Sequence, residues 1–531
     1  MTAHRPNILL VLADDLGRGD VSCFNSQALW QTPRLDQLGA QGMRFVDAHA
    51  TSSLCTPSRY SMLTGRYNWR SRLKSSVLPG DSMSLVEKER LTLPKFLQDQ
   101  GYRTAVVGKW HLGLDWQLTT GESQVQIPEA ESSYLTGSDQ PRMGRDDNFD
   151  AKYFPDVEGT DIDYSEPVTF GPKDLGFDYS FITAASLDQP PYVYIENHQP
   201  LGIPNQWGGD QRDLDRRSAA HQQQIQAGPM VPGYDITNVV PDFQERALAT
   251  LDDLLAGDDP WFLYVPSHLV HGPIIPNEPW QGRSGVSAYG DFVLQFDDYV
   301  GQLVDRIDDA GAMEDTIVIV TSDNGASGVA DLPWLREHGH DSSNGWRGHK
   351  SDIWEGGHRE PLIIRWPKVI EADSVSSELV SHSDVFATVA EVLDTSLPET
   401  AAEDSVSSLE VWRGHNPSGR TDVVSHSGGG GFAIRRGDWK LALTTTGDGM
   451  DARADEAQGL GTTEYIPAQL YNLADDPGEQ DNVVDENPEI VAELVEVLTD
   501  YICRGRSTPG TKQTNAPYSA SGHWHQIEWM T

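Results

Sequence analysis

The chain has 531 residues, 38% hydrophobic and 9% aromatic, enough for one large folded body and a smaller one beside it. Its 39 basic and 80 acidic side chains give a net charge of −41, a field that repels nucleic acid and other long polyanions. No run approaches the roughly 20 apolar residues that span a bilayer, and three cysteines (Cys23, Cys55, Cys503) are too few for a disulfide scaffold, leaving only a Cys23–Cys503 pair open.

Residues 1–6 hold no apolar leader, so the chain reads as cytoplasmic, or as periplasmic or secreted if a leader has been trimmed. The acidic surplus reads as a solvated surface suited to a salty environment. It also suits a protein that takes small anions or chain ends into a positive pocket.

Residues 7–13 (Asn-Ile-Leu-Leu-Val-Leu-Ala) are almost wholly apolar and end in Asp14-Asp15. Such a run predicts a strand buried on both faces, as in a parallel sheet. Cys55-Thr56-Pro57-Ser58-Arg59 follows, with Leu63-Thr64-Gly65-Arg66 behind it. Alone, Cys55 reads as a small buried thiol at a helix start, with Pro57 in the first turn. Residues 93–100 have helical spacing, and 104–107 form a second buried strand leading to Lys109-Trp110-His111.

Residues 121–166 are polar, acidic and rich in Ser, Gly and Pro, and read as an excursion over the surface. Residues 244–255 and 292–307 are amphipathic helices. Between them 261–265 is a third buried strand, leading to Ser267-His268 and His271. A fourth, 316–320, leads to Asp323-Asn324-Gly325, and Lys350 follows in Arg347-Gly348-His349-Lys350. Four buried strands each end in chemically capable residues. In open α/β sheets the site lies at the carboxyl ends of the strands, so these segments converge.

After residue 393 the pattern changes to a hairpin over 432–441, a short strand at 469–473 and a helix over 488–501. The expected fold is α/β. A large mixed, mostly parallel sheet flanked by helices occupies 1–393, and a smaller C-terminal α+β domain with a short antiparallel sheet occupies 394–531.

Asp14, Asp15, Asp323 and Asn324 offer hard oxygens with no thiolate cluster, which favours Ca²⁺ or Mg²⁺ over zinc. Each pair alone is an ordinary strand-end turn; two pairs after buried strands point to a metal site. Lys109, His111, His271 and Lys350 supply cations and a proton donor. Singly, the histidines suit a structural role equally well and the lysines a solvated surface. His268, His338, His340, His349 and His358 are candidate substrate contacts.

These motifs resemble the type I, formylglycine-dependent sulfatases of the alkaline phosphatase superfamily. The likeness also rests on Thr32-Pro33-Arg34-Leu35-Asp36, Gly108-Lys109-Trp110-His111-Leu112-Gly113 and Leu470-Tyr471-Asn472-Leu473. The resemblance implies that Cys55 is converted to formylglycine and binds the metal with Asp14, Asp15, Asp323 and Asn324. Arg59 would stabilise the modified residue, and Lys109 and His111 would hold its hydroxyls. A gem-diol oxygen would attack sulfur, aided by Lys350 and by His271 as proton donor. It also implies a formylglycine-generating enzyme as maturation partner. The substrate would be a small sulfated molecule, an O-sulfated mono- or oligosaccharide or an aryl sulfate, with no nucleic acid or membrane involved. Two alternatives stand: a phosphodiester or phosphonate monoester hydrolase with the same nucleophile, and a non-catalytic binding homologue in which Cys55 stays unmodified. Ser58-Arg59 after Pro57 matches the sulfatase form of the motif better than the Gly-Pro-Ala-Arg form of those hydrolases.

Overall fold

A computed structural model of the chain describes residues 5–119, 162–209, 225–415, 419–449 and 468–516, with Ile527 and Met530. Its centre is a ten-stranded sheet. Five parallel strands occupy the middle in the order Thr316–Ser322, Asn7–Ala13, Trp261–Pro266, Arg103–Lys109 and Tyr179–Thr183. Beyond the first of them, Leu362–Arg365 runs antiparallel and pairs in turn with Met43–Phe45. The sheet is therefore mixed and mostly parallel, as expected.

The apolar run at the N-terminus explains its central place. Successive side chains of a strand point to opposite faces. Leu9, Val11 and Ala13 enter one core, and Ile8, Leu10 and Leu12 the other. With both faces covered, no position along the strand is left for a polar residue. Helices Ile236–Leu255 and Ala288–Asp309 cover the first face through Val239, Phe243, Phe292 and Val300. Cys55–Thr64, Leu93–Asp99 and Asp384–Val392 cover the second.

Two helices start earlier than the sequence suggests. Ile236–Leu255 begins at an Asp235 cap, whose side chain accepts from Thr237 N–H, and carries Pro241 inside it. Proline cannot donate to the carbonyl four residues back. Here that carbonyl, Thr237 O, accepts from Asn277 Nδ2 at 2.9 Å instead. Ala288–Asp309 begins at Ser287, whose hydroxyl accepts from Gly290 N–H at 3.1 Å.

The C-terminal region forms a four-stranded antiparallel sheet, Asp422–His426, Phe432–Arg436, Trp439–Ala442 and Gln469–Asn472. Gly437 supplies the positive φ (59°) of the hairpin turn. Helix Pro488–Arg504 lays Val491, Leu494, Leu498 and Ile502 on this sheet. Tyr67 and Trp69 from the long N-terminal part enter the same core.

All three cysteines are free, with Cys503 exposed and Cys23 half-buried, so the Cys23–Cys503 pair left open by the sequence is not formed. The expected excursion over 121–166 lies outside the described residues up to 161. At its end Ile162 bridges to Leu118, and Tyr164 packs edge-on against Trp116.

Candidate active site

The parallel strands deliver their terminal residues to one edge of the sheet. Asp14 and Asp15 follow Ala13, Lys109 closes its own strand, and Asp323 and Asn324 follow Ser322. After Pro266 the chain is pinned to the end of the first strand. Asp14 N–H donates to Leu269 O and Val270 N–H to Asp14 O, each at 2.7 Å, which holds His271 beside Asp15. Asp15 and His111 both take positive φ, 66° and 57°, a region that Asp and His enter more readily than bulky residues.

Cys55 is the first residue of the fully buried helix Cys55–Thr64, and no side chain caps that end. Unpaired N–H groups and the helix dipole therefore favour negative charge there. The helix stops at Gly65, whose φ is 63° and where a Cβ would lie 2.7 Å from that of Ala402. Glycine is required on both counts.

Three ion pairs hold the site. Lys109 Nζ donates to both oxygens of Asp14, at 3.0 and 2.7 Å. Lys350 Nζ donates to Asp15 Oδ2 at 2.8 Å. Arg59 donates through Nε and Nη2 to Asp323 Oδ2 at 3.0 and 2.7 Å, and through Nη1 to Lys109 O at 2.9 Å. All six side chains are buried. Burial pushes the carboxyls of Asp14 and Asp15 up, but the ammonium groups of Lys109 and Lys350, with His271, hold both below the usual range. Burial likewise opposes the charge on Lys350, and Asp15 overrides it, so the amine stays protonated.

Burial pushes the Cys55 thiol up to about 12, and Lys109 and Lys350 offset it only in part. As a thiol the residue is a poor nucleophile. Asn324 donates through Nδ2 to Asp15 Oδ1 at 2.8 Å and to Gly325 O at 3.0 Å. Its Oδ1 is buried and has no hydrogen-bond partner among the described residues. Ligand atoms of Asp14, Asp15, Cys55 and His271 lie within 4.8 Å of one another. An orphaned amide oxygen among carboxylates fits a hard divalent cation. Three carboxylates are already matched by the three cations Lys109, Lys350 and Arg59.

The histidine tautomers follow from their partners. His111 Nε2 lies 2.9 Å from Leu78 O, which only accepts, so Nε2 carries the proton and Nδ1 the lone pair. Burial, then the charges of Lys109 and Arg59, push His111 well below the usual range, and it is neutral. His271 Nδ1 donates to Gly272 O at 2.6 Å, leaving Nε2 3.7 Å from Asp15 Oδ2.

The other five candidate histidines make framework bonds, and burial with the nearby charges of Lys109, Arg59 and His271 pushes His268 well below the usual range. His268 meets Thr183 Oγ1 at 2.9 Å and packs on Phe243. His340 donates to Asp20 Oδ1 at 2.8 Å and lies against Trp30. His358 joins His49, Glu355 and Lys440 in a buried group. His338 donates to Trp334 O, and His349 to the adjacent Lys350 O.

Sequence reasoning missed two features of the site. Asp20 accepts from Gly17 N–H, Tyr289 OH, His340 and Ser342, and so locks the loop that follows Asp15. The loop after Tyr179–Thr183 brings Ser186 to 3.5 Å from His111 Nδ1 and Asp188 to 4.0 Å from His271 Nδ1. That fifth parallel strand is too short for its apolar pattern to announce it.

Comparison with known proteins agrees with this geometry. The Sulfatase family model matches residues 6–395. The chain is 31% identical to an N-acetylgalactosamine-6-O-sulfatase of Bacteroides thetaiotaomicron, over 93% of each chain. It is also 31% identical to human arylsulfatase A, over 93% of this chain and 87% of that one. Among solved structures, the 6S-sulf protein of a core locus for glycosaminoglycan metabolism in Bacteroides thetaiotaomicron superposes with a TM-score of 0.74. That match is 28% identical and covers 94% of this chain and 99% of the other. The chain belongs to the sulfatase family, enzymes that hydrolyse sulfate esters.

Proposed function

We propose that this sulfatase cleaves the S–O bond of a sulfate ester on a sugar. In this reading residue 55 is oxidised to formylglycine, and a divalent cation, calcium or magnesium, is held by Asp14, Asp15, residue 55, Asp323 and Asn324. The observation that carries the reading is the buried, unpartnered Asn324 Oδ1 beside three carboxylates already matched by Lys109, Lys350 and Arg59. When present, the cation draws charge from the sulfuryl group and the hydrated aldehyde supplies the attacking hydroxyl.

The chain's own residues do the rest. Lys109 and Arg59 fix the carboxylates against mutual repulsion. Lys350 offers its ammonium to the sulfuryl oxygens. His271 Nδ1 donates to Gly272 O, so a doubly protonated His271 gives the Nε2 proton to the departing alkoxide oxygen and keeps the one on Nδ1. The neutral His111, with its lone pair on Nδ1, accepts a proton from a hydroxyl on residue 55.

A sugar substrate is supported by the N-acetylgalactosamine-6-O-sulfatase relative. The net charge of −41 favours a small substrate or a chain end over a long polyanion. Cys55 is 1% exposed on a helix between two layers of the fold. A formylglycine-generating enzyme must therefore act before that helix is packed.

Peptide mass spectrometry of the Cys55 segment tests the reading, on protein made alongside such an enzyme. The expected result is a loss of about 18 Da, the change from thiol to aldehyde. Sulfate release from 6-sulfated N-acetylgalactosamine should accompany it and vanish in Cys55→Ala with the fold intact. Full turnover by that variant would overturn the mechanism.

A further inference from the structure

We propose that Asp188 reads the neutral part of the substrate: its carboxylate accepts a hydrogen bond from a hydroxyl or amide N–H on the ring that carries the sulfate, and it rejects rings bearing a second anion there. The inference rests on the sulfate-ester reading above and adds a specificity-determining residue to it.

Three observations support the assignment. The first is position. Asp188 Oδ1 lies 4.0 Å from His271 Nδ1, and its side chain is 26% exposed where His271's is 12%. The second is an unfilled valence. Asp188 Oδ1 is shielded from solvent and has no hydrogen-bond partner among the described residues. It is beyond hydrogen-bond reach of His271, whose Nδ1 proton is already given to Gly272 O at 2.6 Å. The third is preorganisation. Asp188 O accepts from Tyr192 OH at 2.9 Å and from Gln226 N–H at 2.8 Å, and the same Tyr192 OH also lies 2.6 Å from Gln226 O. The loop is thereby clamped to the neighbouring strand Gly228–Met230, where Tyr192 N–H donates to Pro229 O at 2.8 Å.

Chemistry selects what the carboxylate can face. Placed against the sulfate it would repel the group the site exists to bind, so the sulfate must sit with Lys350 and the helix N-terminus. The exposed part of the Asp188 carboxylate then meets the atoms next to the ester. A shielded acceptor is satisfied there only by a donor, which a sugar ring offers as hydroxyls or an acetamido N–H and an aryl ring does not.

The test compares wild-type enzyme with Asp188→Ala and Asp188→Asn on three compounds: 6-sulfated N-acetylgalactosamine, the same sugar with a second sulfate, and 4-nitrophenyl sulfate. For Asp188→Ala, kcat/KM on the monosulfated sugar should fall about 10- to 100-fold, mainly through KM, with the aryl sulfate changed less than about two-fold. Asp188→Asn keeps an acceptor oxygen without the charge, so it should retain most activity on the monosulfated sugar and gain activity on the disulfated one. A role through His271 predicts an equal loss on sugar and aryl sulfate, carried by kcat; that result overturns the assignment. Unchanged kinetics in both variants, or wild-type turnover of the aryl sulfate alone, overturns it too while leaving sulfate-ester hydrolysis standing. Wild-type enzyme that releases sulfate from none of the three overturns the underlying reading and this assignment together.

Discussion

Lys350 Nζ donates to Asp15 Oδ2 across 2.8 Å, although 335 positions separate the two residues in the chain. Both are buried, so each charge would be costly alone and is tolerated because of the other. Removing the ammonium leaves Asp15 facing Asp323 with one counter-charge fewer. Lys350→Met should therefore lose about 3–5 kcal/mol, the usual cost of breaking a buried pair. Because a dication can replace the missing charge, calcium should recover much of that loss. Thermal unfolding in chelator and in calcium checks this, and an equal loss in both would refute it.

Calcium or magnesium should also stabilise the unaltered protein. A ligand at about 100 times its Kd adds about 2.7 kcal/mol to the folded state. Asn324→Leu keeps the branched heavy-atom shape but removes the orphaned Oδ1 and the donor to Asp15 Oδ1. That variant should show a much smaller metal-induced shift, and chelation should stop sulfate release in the parent enzyme. A full metal shift in Asn324→Leu would remove Asn324 from the ligand set.

The sequence reveals residues that obey local rules and conceals those that depend on distant partners. The strands Asn7–Ala13, Trp261–Pro266 and Thr316–Ser322 are legible because burial on both faces demands unbroken apolar runs. Asp14, Asp15, His271, Asp323 and Asn324 are legible because they stand at the ends of those runs. The start of Ile236–Leu255 is hidden, because Pro241 argues against a helix and its remedy, Asn277, lies elsewhere in the chain. The burial of Lys109 and Lys350 is hidden for the same reason: nothing near either lysine names Asp14 or Asp15 as its partner. Asp188 follows a five-residue strand with too little apolar pattern to place it at the site.

Acid should destabilise the fold through two interior histidines. Burial pulls His382 and His426 down to about 3, with His49 adding to the effect at the first and Lys74 at the second. Thr321 Oγ1 lies 2.9 Å from His382 Nε2, while His382 Nδ1 and His426 Nε2 are buried without partners among the described residues. The unfolded chain takes up protons near the ordinary value of 6.5, whereas the folded chain resists until about 3. Their contribution is thus complete above 6.5 and declines as pH falls toward 3. The slope should approach about 1.4 kcal/mol per pH unit for each histidine. Urea unfolding at about pH 7 and about pH 5 measures it. The double variant His382→Gln, His426→Gln should reduce that slope, the rest coming from His111 and His268, which burial also holds well below the ordinary value; an unchanged slope would assign acid sensitivity to other groups.

Gly325 ties the turn bearing Asp323 and Asn324, the proposed metal ligands, to the segment that carries Glu355. Its N–H donates to Gly357 O at 2.9 Å, and a Cβ at residue 325 would sit 2.0 Å from Gly356 O. That contact is with backbone and cannot be relieved by a rotamer change, so Gly325→Ala must move the turn bearing Asp323 and Asn324. A displacement of about 1 Å in a positioning element costs about 100-fold in rate. The expected result is a loss of that order in kcat with a weakened response to metal. Gly437→Ala is the matched control. It has no atom within 4 Å of an added Cβ, and its φ of +59° adds backbone strain far from the site. It should lower stability by about 1 kcal/mol and leave kcat unchanged. Similar kinetics in the two variants would mean that the 323–325 turn does not set the geometry of the metal site.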